Sequence, residues 1–277
     1  MLPGVYTVKR KDNTISYRAS LTCSGRHISL GSYPDEDTAH RAYCAAKDLM
    51  ESKASPGEYS VFEDSLPFDK FISLINLRDN GVYFATPIYL MRRFFHYYLS
   101  PDEIMTFDAE DLFYFARHRI QRRGGRLFVS DYGMQVTLST RYGIRPFSVE
   151  GRDHEFLNGD PLDFRYENIR IISPFIGVTP FFKKSETIPM TLSYKVRIHV
   201  KGYYTVGIFS DEISAAIAYN KAVDHIKLRY SEKNYGQNFI EDLPAKEYAE
   251  IYTGLDISAF IKSFDKNHPT GTCNPQN

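Results

Sequence analysis

Near its start the chain reads YRASLTCSGRHISLGSYPDEDTAHRAYCAAKDLM (17–50), and near its end YKVRIHVKGYYTVGIFSDEISAAIAYNKAVDHI (194–226). With one deletion in the second copy, Tyr17 aligns with Tyr194, Gly25 with Gly202 and Gly31 with Gly207. Asp35-Glu36 then meets Asp211-Glu212, and Ala42-Tyr43 meets Ala218-Tyr219. A chain that repeats such a unit must build the same small body twice, so the repeat constrains the architecture before any single motif does.

Each copy reads as strand, turn, strand, turn, helix. Tyr194, Val196, Ile198 and Val200 alternate with Lys195, Arg197, His199 and Lys201, the period of a strand with one buried face. Tyr17, Ala19 and Leu21 alternate likewise with Arg18, Ser20 and Thr22. CSGR and VKGY supply glycine-containing hairpin turns. The acidic pairs at 35–36 and 211–212 open helices whose dipoles they complement. Alanines at 39, 42, 45 and 46, and at 215, 216, 218 and 222, let each helix lie close on its sheet.

Charge suggests what these sheets face. Residues 1–33 carry Lys9, Arg10, Lys11, Arg18 and Arg26 against Asp12. Residues 177–209 carry Lys183, Lys184, Lys195, Arg197 and Lys201 against Glu186. Any solvated sheet face tends to carry Lys and Arg. Two such faces on matching strands favour a phosphate backbone as partner. Formal net charge is +0, which disfavours an undifferentiated polyanion binder and leaves local patches open. With 43% hydrophobic and 15% aromatic residues, a folded core is expected rather than disorder. The cysteines Cys23, Cys44 and Cys273 lack CxxC spacing, which gives no structural zinc site and fits a reducing compartment. No apolar run has membrane-spanning length and the N-terminus lacks a signal-peptide core, so a soluble cytoplasmic protein without membrane partners is expected.

The pieces GVY, YRASL, RHISLGSY and AHRAYCAA, with GVTP, YKVRI, YYTVGIF and AAIAYNKA, resemble the APETALA-type (ethylene-response-factor) DNA-binding domain. YGQNFIEDL (235–243) resembles that family's closing element. The resemblance implies three strands and a helix, with the sheet seated in the major groove. The family's strand tryptophans are absent, and Lys9 and Arg10 only loosely represent its first-strand arginines, so base specificity does not carry over. Alternation places Arg18, Ser20 and Thr22, and Lys195, Arg197 and His199, on the DNA side. Arg26, His27, Ser29, Tyr203 and Thr205 join them.

Between the repeats, residues 53–66 read as a linker or surface loop. TPIYLMRRFFHYYLS (86–100) and SPDEIMTFDAEDLFYFARHRIQRR (100–123) carry helix-start signals and read as helices, with Phe107, Leu112, Phe113 and Phe115 in the core. Arg117, Arg119, Arg122, Arg123 and Arg126 crowd ten residues around Gly124-Gly125. A helix end explains two or three of them. The cluster as a whole reads as an arm that contacts phosphates.

HEFLNGDPLDFRYENIRII (154–172) resembles the second half of the HNH homing-endonuclease motif. That resemblance implies a ββα frame holding one divalent metal, with a histidine as general base. Asn158, Gly159, Asp160, Leu162, Asp163, Arg165, Asn168 and Arg170 match the frame. The general-base position, however, is Phe156, the middle asparagine is Phe164 and the metal-ligand position is Glu155. Phenylalanine neither accepts a proton nor binds a hard cation, so no catalytic residue, metal or cofactor is expected, and the two rings should fill the vacated pocket. His154, two residues early, is read as a surface or turn histidine.

The expected fold is therefore α+β: two small three-stranded-sheet-plus-helix domains flanking a central helix-rich module with a degenerate ββα (HNH-like) motif. The boundaries drawn are 1–55, 60–125 (helical), 126–175 (HNH-like), 176–245, and 246–277 (helix and tail). The expected function is sequence-specific binding of double-stranded DNA by a catalytically inactive relative of HNH homing endonucleases, bacterial or phage-encoded and nucleoid-associated, acting as a transcriptional repressor. A homodimer is left open. Two alternatives stand beside this. One is an active nicking endonuclease using His154, Glu155 and Asn168 with a divalent metal such as Mg²⁺. The other is a protein-binding inhibitor module.

Overall fold

The computed structural model describes residues 1–9, 13–23, 25–131, 134–183, 191–200, 202–228 and 235–264. It is an α+β structure of small antiparallel sheets and helices, divided into two compact units. The first comprises residues 1–142 and 156–169, the second residues 143–155 and 170–277. The expected 126–175 module is thus shared between two bodies rather than forming one.

The first unit opens with β1 (Val5–Lys9), β2 (Ile15–Cys23) and β3 (Arg26–Tyr33), hydrogen-bonded in that order, then α1 (Glu36–Glu51). Ala39, Ala42, Ala46 and Leu49 recur at three- and four-residue spacing and are buried with Val5, Ala19, Leu21, Ile28 and Leu30 of the sheet. The helix α2 (Phe68–Asn80) adds Phe71, Ile72, Leu74 and Ile75 to the same core.

Residues 86–123 are not the two helices expected from the sequence. They form β4 (Ile88–Leu90), β5 (Phe94–Ser100) and β6 (Glu103–Asp108), then the short helix α3 (Leu112–Arg117) and β7 (Ile120–Arg123). The segment is aromatic-rich, and such side chains pack well on a pleated surface. Ser100-Pro101-Asp102-Glu103, read as a helix start, is instead the β5–β6 turn, with Ser100 paired to Glu103. Proline presets the backbone angle for either role. Phe107 and Phe115 are fully buried, with ring centroids 4.3 Å apart, but Phe113 is 73% exposed and is no core residue. The unit continues through β8 (Arg126–Asp131), β9 (Met134–Thr137) and α4 (Leu138–Arg141).

A two-stranded ribbon, β10 (His154–Phe156) with β11 (Ile169–Ile171), follows. The ββα frame is incomplete here. A 3₁₀ turn at Tyr166–Asn168 precedes β11, and the next element is a strand rather than an α-helix.

The second unit holds β12 (Val178–Lys183), β13 (Thr191–His199) and β14 (Tyr203–Phe209), then α5 (Glu212–Lys227), α6 (Ala245–Gly254) and α7 (Ala259–Lys262). It repeats the first sheet and helix in detail. The register of β2 on β3 shifts between Ala19 and Ser20, and that of β13 on β14 between the aligned Val196 and Arg197. Asp35 and Asp211 cap α1 and α5, accepting from Thr38 N and Ser214 N at 2.7 Å each. Gly4 and Gly177 have φ of 74° and 71°, and their carbonyls accept from Ser20 N and Arg197 N. A Cβ would lie 2.0 Å from the Tyr43 ring at Gly4, and 2.6 Å from the aligned Tyr219 ring at Gly177. Only glycine fits either place without strain. In the 235–243 element it is Asn238, not Phe239, that closes the core. Asn238 is buried, accepting from Ile176 N and donating through its own N–H to Asn220 Oδ1, while Phe239 is 75% exposed. Among the described residues, no helix is long and apolar enough to cross a membrane.

Candidate nucleic-acid interface

Directly paired residues of neighbouring strands lie on one face of a sheet. On the first sheet, register aligns Tyr6, Arg18 and Ser32 in one row, Ser20 with Ser29 in the next, and Thr22 with His27 beyond them. Arg18, Thr22, His27 and Ser29 are exposed. Thr22 Oγ1 lies 3.4 Å from His27 Nδ1, and the Tyr6 and His27 rings are 6.3 Å apart. Ser20 departs from the expectation: it is buried, 8% exposed, so its short side chain cannot reach a groove. Arg26 is exposed but held toward Tyr83, whose carbonyl accepts from its guanidinium at 3.4 Å. Lys9 is exposed; Arg10 lies outside the described residues.

On the second sheet, register pairs Arg197 with Thr205 and His199 with Tyr203, with Lys195 on the same face. The His199 and Tyr203 rings are 4.9 Å apart, and the Arg197 guanidinium lies 5.7 Å from the Tyr203 ring centre. The sequence-predicted side chains are brought together: His199, Tyr203 and Thr205 are exposed, while Lys195 and Arg197 are half-buried. Arg197, His199, Tyr203 and Thr179 share a recess of about 360 Å³ with Arg152, Phe147 and Val149, from the chain before β10. Arg152 spends Nε and Nη2 on Asp153, at 2.9 and 2.6 Å. The Asp153 hydrogen bond, with the Asp153 charge and Tyr203 adding to it, raises the Arg152 pKa against the opposing effect of burial. Nothing in RPFSVEGRDH marked these residues, since Phe147 and Val149 have no partner pattern in sequence.

The arginine cluster runs from the end of α3, at Arg117, into a β-hairpin that carries Arg122, Arg123 and Arg126. Gly124 and Gly125, with φ of 54° and 77°, form its tip, and Arg123 stands directly opposite Arg126. Like charges in that register repel, and both side chains are exposed. Arg119 is paired with Asp69 at 2.6 Å, and Arg122 with Glu103. Arg117 is exposed at the end of α3.

The HNH-like loop is held by bonds among its own side chains. Asn168 is buried; its Oδ1 accepts from Asn158 N, and its Nδ2 donates to Asp163 O, both at 2.8 Å. Asn158 Nδ2 and Arg165 Nη2 donate to Asp163 Oδ2 at 2.7 and 2.6 Å. Burial opposes the Asp163 carboxylate, but the Arg165 bonds outweigh it and hold the carboxyl below its ordinary pKa. Phe164 is buried against Phe107, and Phe156 meets it edge-on at 6.0 Å. His154 is not a surface histidine. It is 7% exposed, with Nδ1 2.8 Å from Ser148 Oγ. Glu155 is paired with Arg170 at 2.5 Å. His154, Glu155 and Asn168 thus each have a hydrogen-bond or ion-pair partner within the protein. Among the described residues, no group of three or more His, Cys, Asp or Glu is placed to hold a metal ion.

No family model, curated protein or solved structure matches this chain.

Proposed function

We propose that this chain binds double-stranded DNA with two copies of one sheet-and-helix unit and regulates transactions at its site, as a repressor does, without cutting. The observation that carries this reading is the duplicated scaffold: two sheets with the same bulge, cap and glycine, each presenting polar, basic and aromatic side chains outward. Arg18, Thr22, His27 and Ser29 on one sheet, and Lys195, Arg197, His199 and Tyr203 on the other, are the proposed groove-facing residues. The exposed Arg123–Arg126 tip is the proposed phosphate contact, since an anion between opposed guanidinium groups relieves their repulsion. Two weak readers on one chain gain from effective concentration.

The inactive-nuclease part of the reading is supported by the bonding of the HNH-like loop. Its polar residues serve packing, and phenylalanines occupy the positions of the base and the middle asparagine. Selection of bound sequences from random duplex DNA, with Mg²⁺ present and cleavage scored in the same tube, tests both parts. Enrichment of one extended sequence, uncut, is expected. Sequence-dependent nicking that vanishes in His154→Ala would overturn the inactive reading.

A further inference from the structure

The recess on the second sheet is built differently from an open reading face. Arg197 is half-buried and, among the described residues, has no carboxylate within ion-pair distance. Arg152 is pinned by Asp153, which is 1% exposed and also accepts from Val149 N at 2.9 Å. The Asp153–Arg152 pair therefore holds a cationic edge in place rather than leaving it on a mobile chain. Thr179 and Tyr203 add hydroxyls and His199 a ring, while Phe147, Val149 and Ile176 form apolar wall.

We propose that this recess is a binding site for a phosphate ester. The Arg197 guanidinium matches phosphate oxygens in fork geometry, and Arg152 Nη1, which Asp153 leaves over, adds a donor beside the Thr179 and Tyr203 hydroxyls. The apolar wall and the Tyr203 ring suit the sugar or base attached to that phosphate. A volume of about 360 Å³ admits a mononucleotide-sized group. The ester has two sources: the backbone of a bound duplex, or a free nucleotide. The first rests on the DNA-binding reading above; the second does not. A free nucleotide would occupy the face proposed to read DNA, so the two would compete, each lowering the other's affinity by the same factor.

Calorimetric titration of the full chain with a nucleoside monophosphate, inorganic phosphate and a duplex is the test. It is run on wild type, Arg197→Gln, Arg152→Gln, Tyr203→Phe and the control Arg18→Gln. Tyr203→Phe leaves the Asp153–Arg152 pair intact should Arg152→Gln fold poorly. A nucleotide that binds, loses at least tenfold in affinity in the recess variants but not in Arg18→Gln, and is displaced by duplex identifies a free-nucleotide site. No nucleotide binding, with duplex affinity lowered by Arg152→Gln and Tyr203→Phe at every sequence, identifies the backbone as the source. Nucleotide binding without any duplex binding keeps the site and removes the DNA reading. Duplex binding that Arg152→Gln and Tyr203→Phe leave unchanged, with no nucleotide or phosphate bound, overturns the site and leaves the DNA reading standing.

Discussion

The two sheet repeats share a scaffold and differ in what they present. Ser20 and Arg197 occupy equivalent positions after the same register shift, and donate their backbone N–H groups to the carbonyls of the equivalent glycines Gly4 and Gly177. Ser20 is buried, whereas Arg197 reaches into a recess with Arg152 beside it. The first face is a plain sheet carrying exposed Arg18, Thr22, His27 and Ser29. Backbone bonds, caps and helix-facing alanines were kept while the outward side chains diverged.

The comparison breaks most readily at the paired glycines. Gly4→Ala and Gly177→Ala each combine left-handed strain, about 1–3 kcal/mol, with overpacking of about 1–3 kcal/mol. Each should lower the melting transition of its own unit by a similar amount in calorimetry. A large effect at one position and none at the other would show that the scaffolds are not equivalent.

Next in size are the charge changes. Arg123→Gln with Arg126→Gln should weaken binding to all duplex sequences alike and reduce the salt slope by about two. Loss of sequence preference in the selected pool would move the arm from phosphate contact to base reading. The aligned Arg18→Gln and Lys195→Gln should each reduce the slope by about one. Unequal losses there would sharpen the contrast between the open face and the recessed one.

The smallest expected effect is in pH. Thr38, through its backbone N–H and then its hydroxyl, lowers the Asp35 pKa, and Asp163 is lowered as described above. The stability these two contribute is present above the ordinary carboxylate range and is lost as pH falls through their lowered folded values. In the second unit burial raises Glu212, so the folded state takes up that proton first and gains stability as pH falls toward the ordinary range. Because Lys262 lowers Asp256 in the second unit as well, the test is made at single residues. Followed by hydrogen exchange, Asp163→Asn should reduce the acid-induced loss of protection in the first unit and Glu212→Gln should remove the gain in the second. An unchanged pH profile in either variant would contradict these assignments.

Much of the repeat was legible because its signals are local. Alternation, acidic helix starts and alanine spacing each act within a few residues, and they placed both sheets and both helices. The middle segment was not legible, because Ser-Pro-Asp-Glu serves a helix start and a hairpin turn equally well. Only the partner strands decide between the two. Phenylalanine at 156 and 164 could be read as packing from residue type alone. The bonds from Asn168 to Asn158 and Asp163 could not, since they depend on how the loop closes. The recess was invisible for a similar reason. Arg152, Arg197 and Tyr203 come to line one recess only in the fold.

In the proposed function, two basic sheets and an arginine tip engage duplex DNA through its phosphates as well as its bases. Fluorescence anisotropy of a labelled random duplex pool, at about 50 and about 200 mM salt, tests it directly. With four or five phosphate contacts, binding should be clear at the lower salt and fall roughly 150- to 500-fold at the higher. No binding at the lower salt, or an affinity indifferent to salt, would contradict the account.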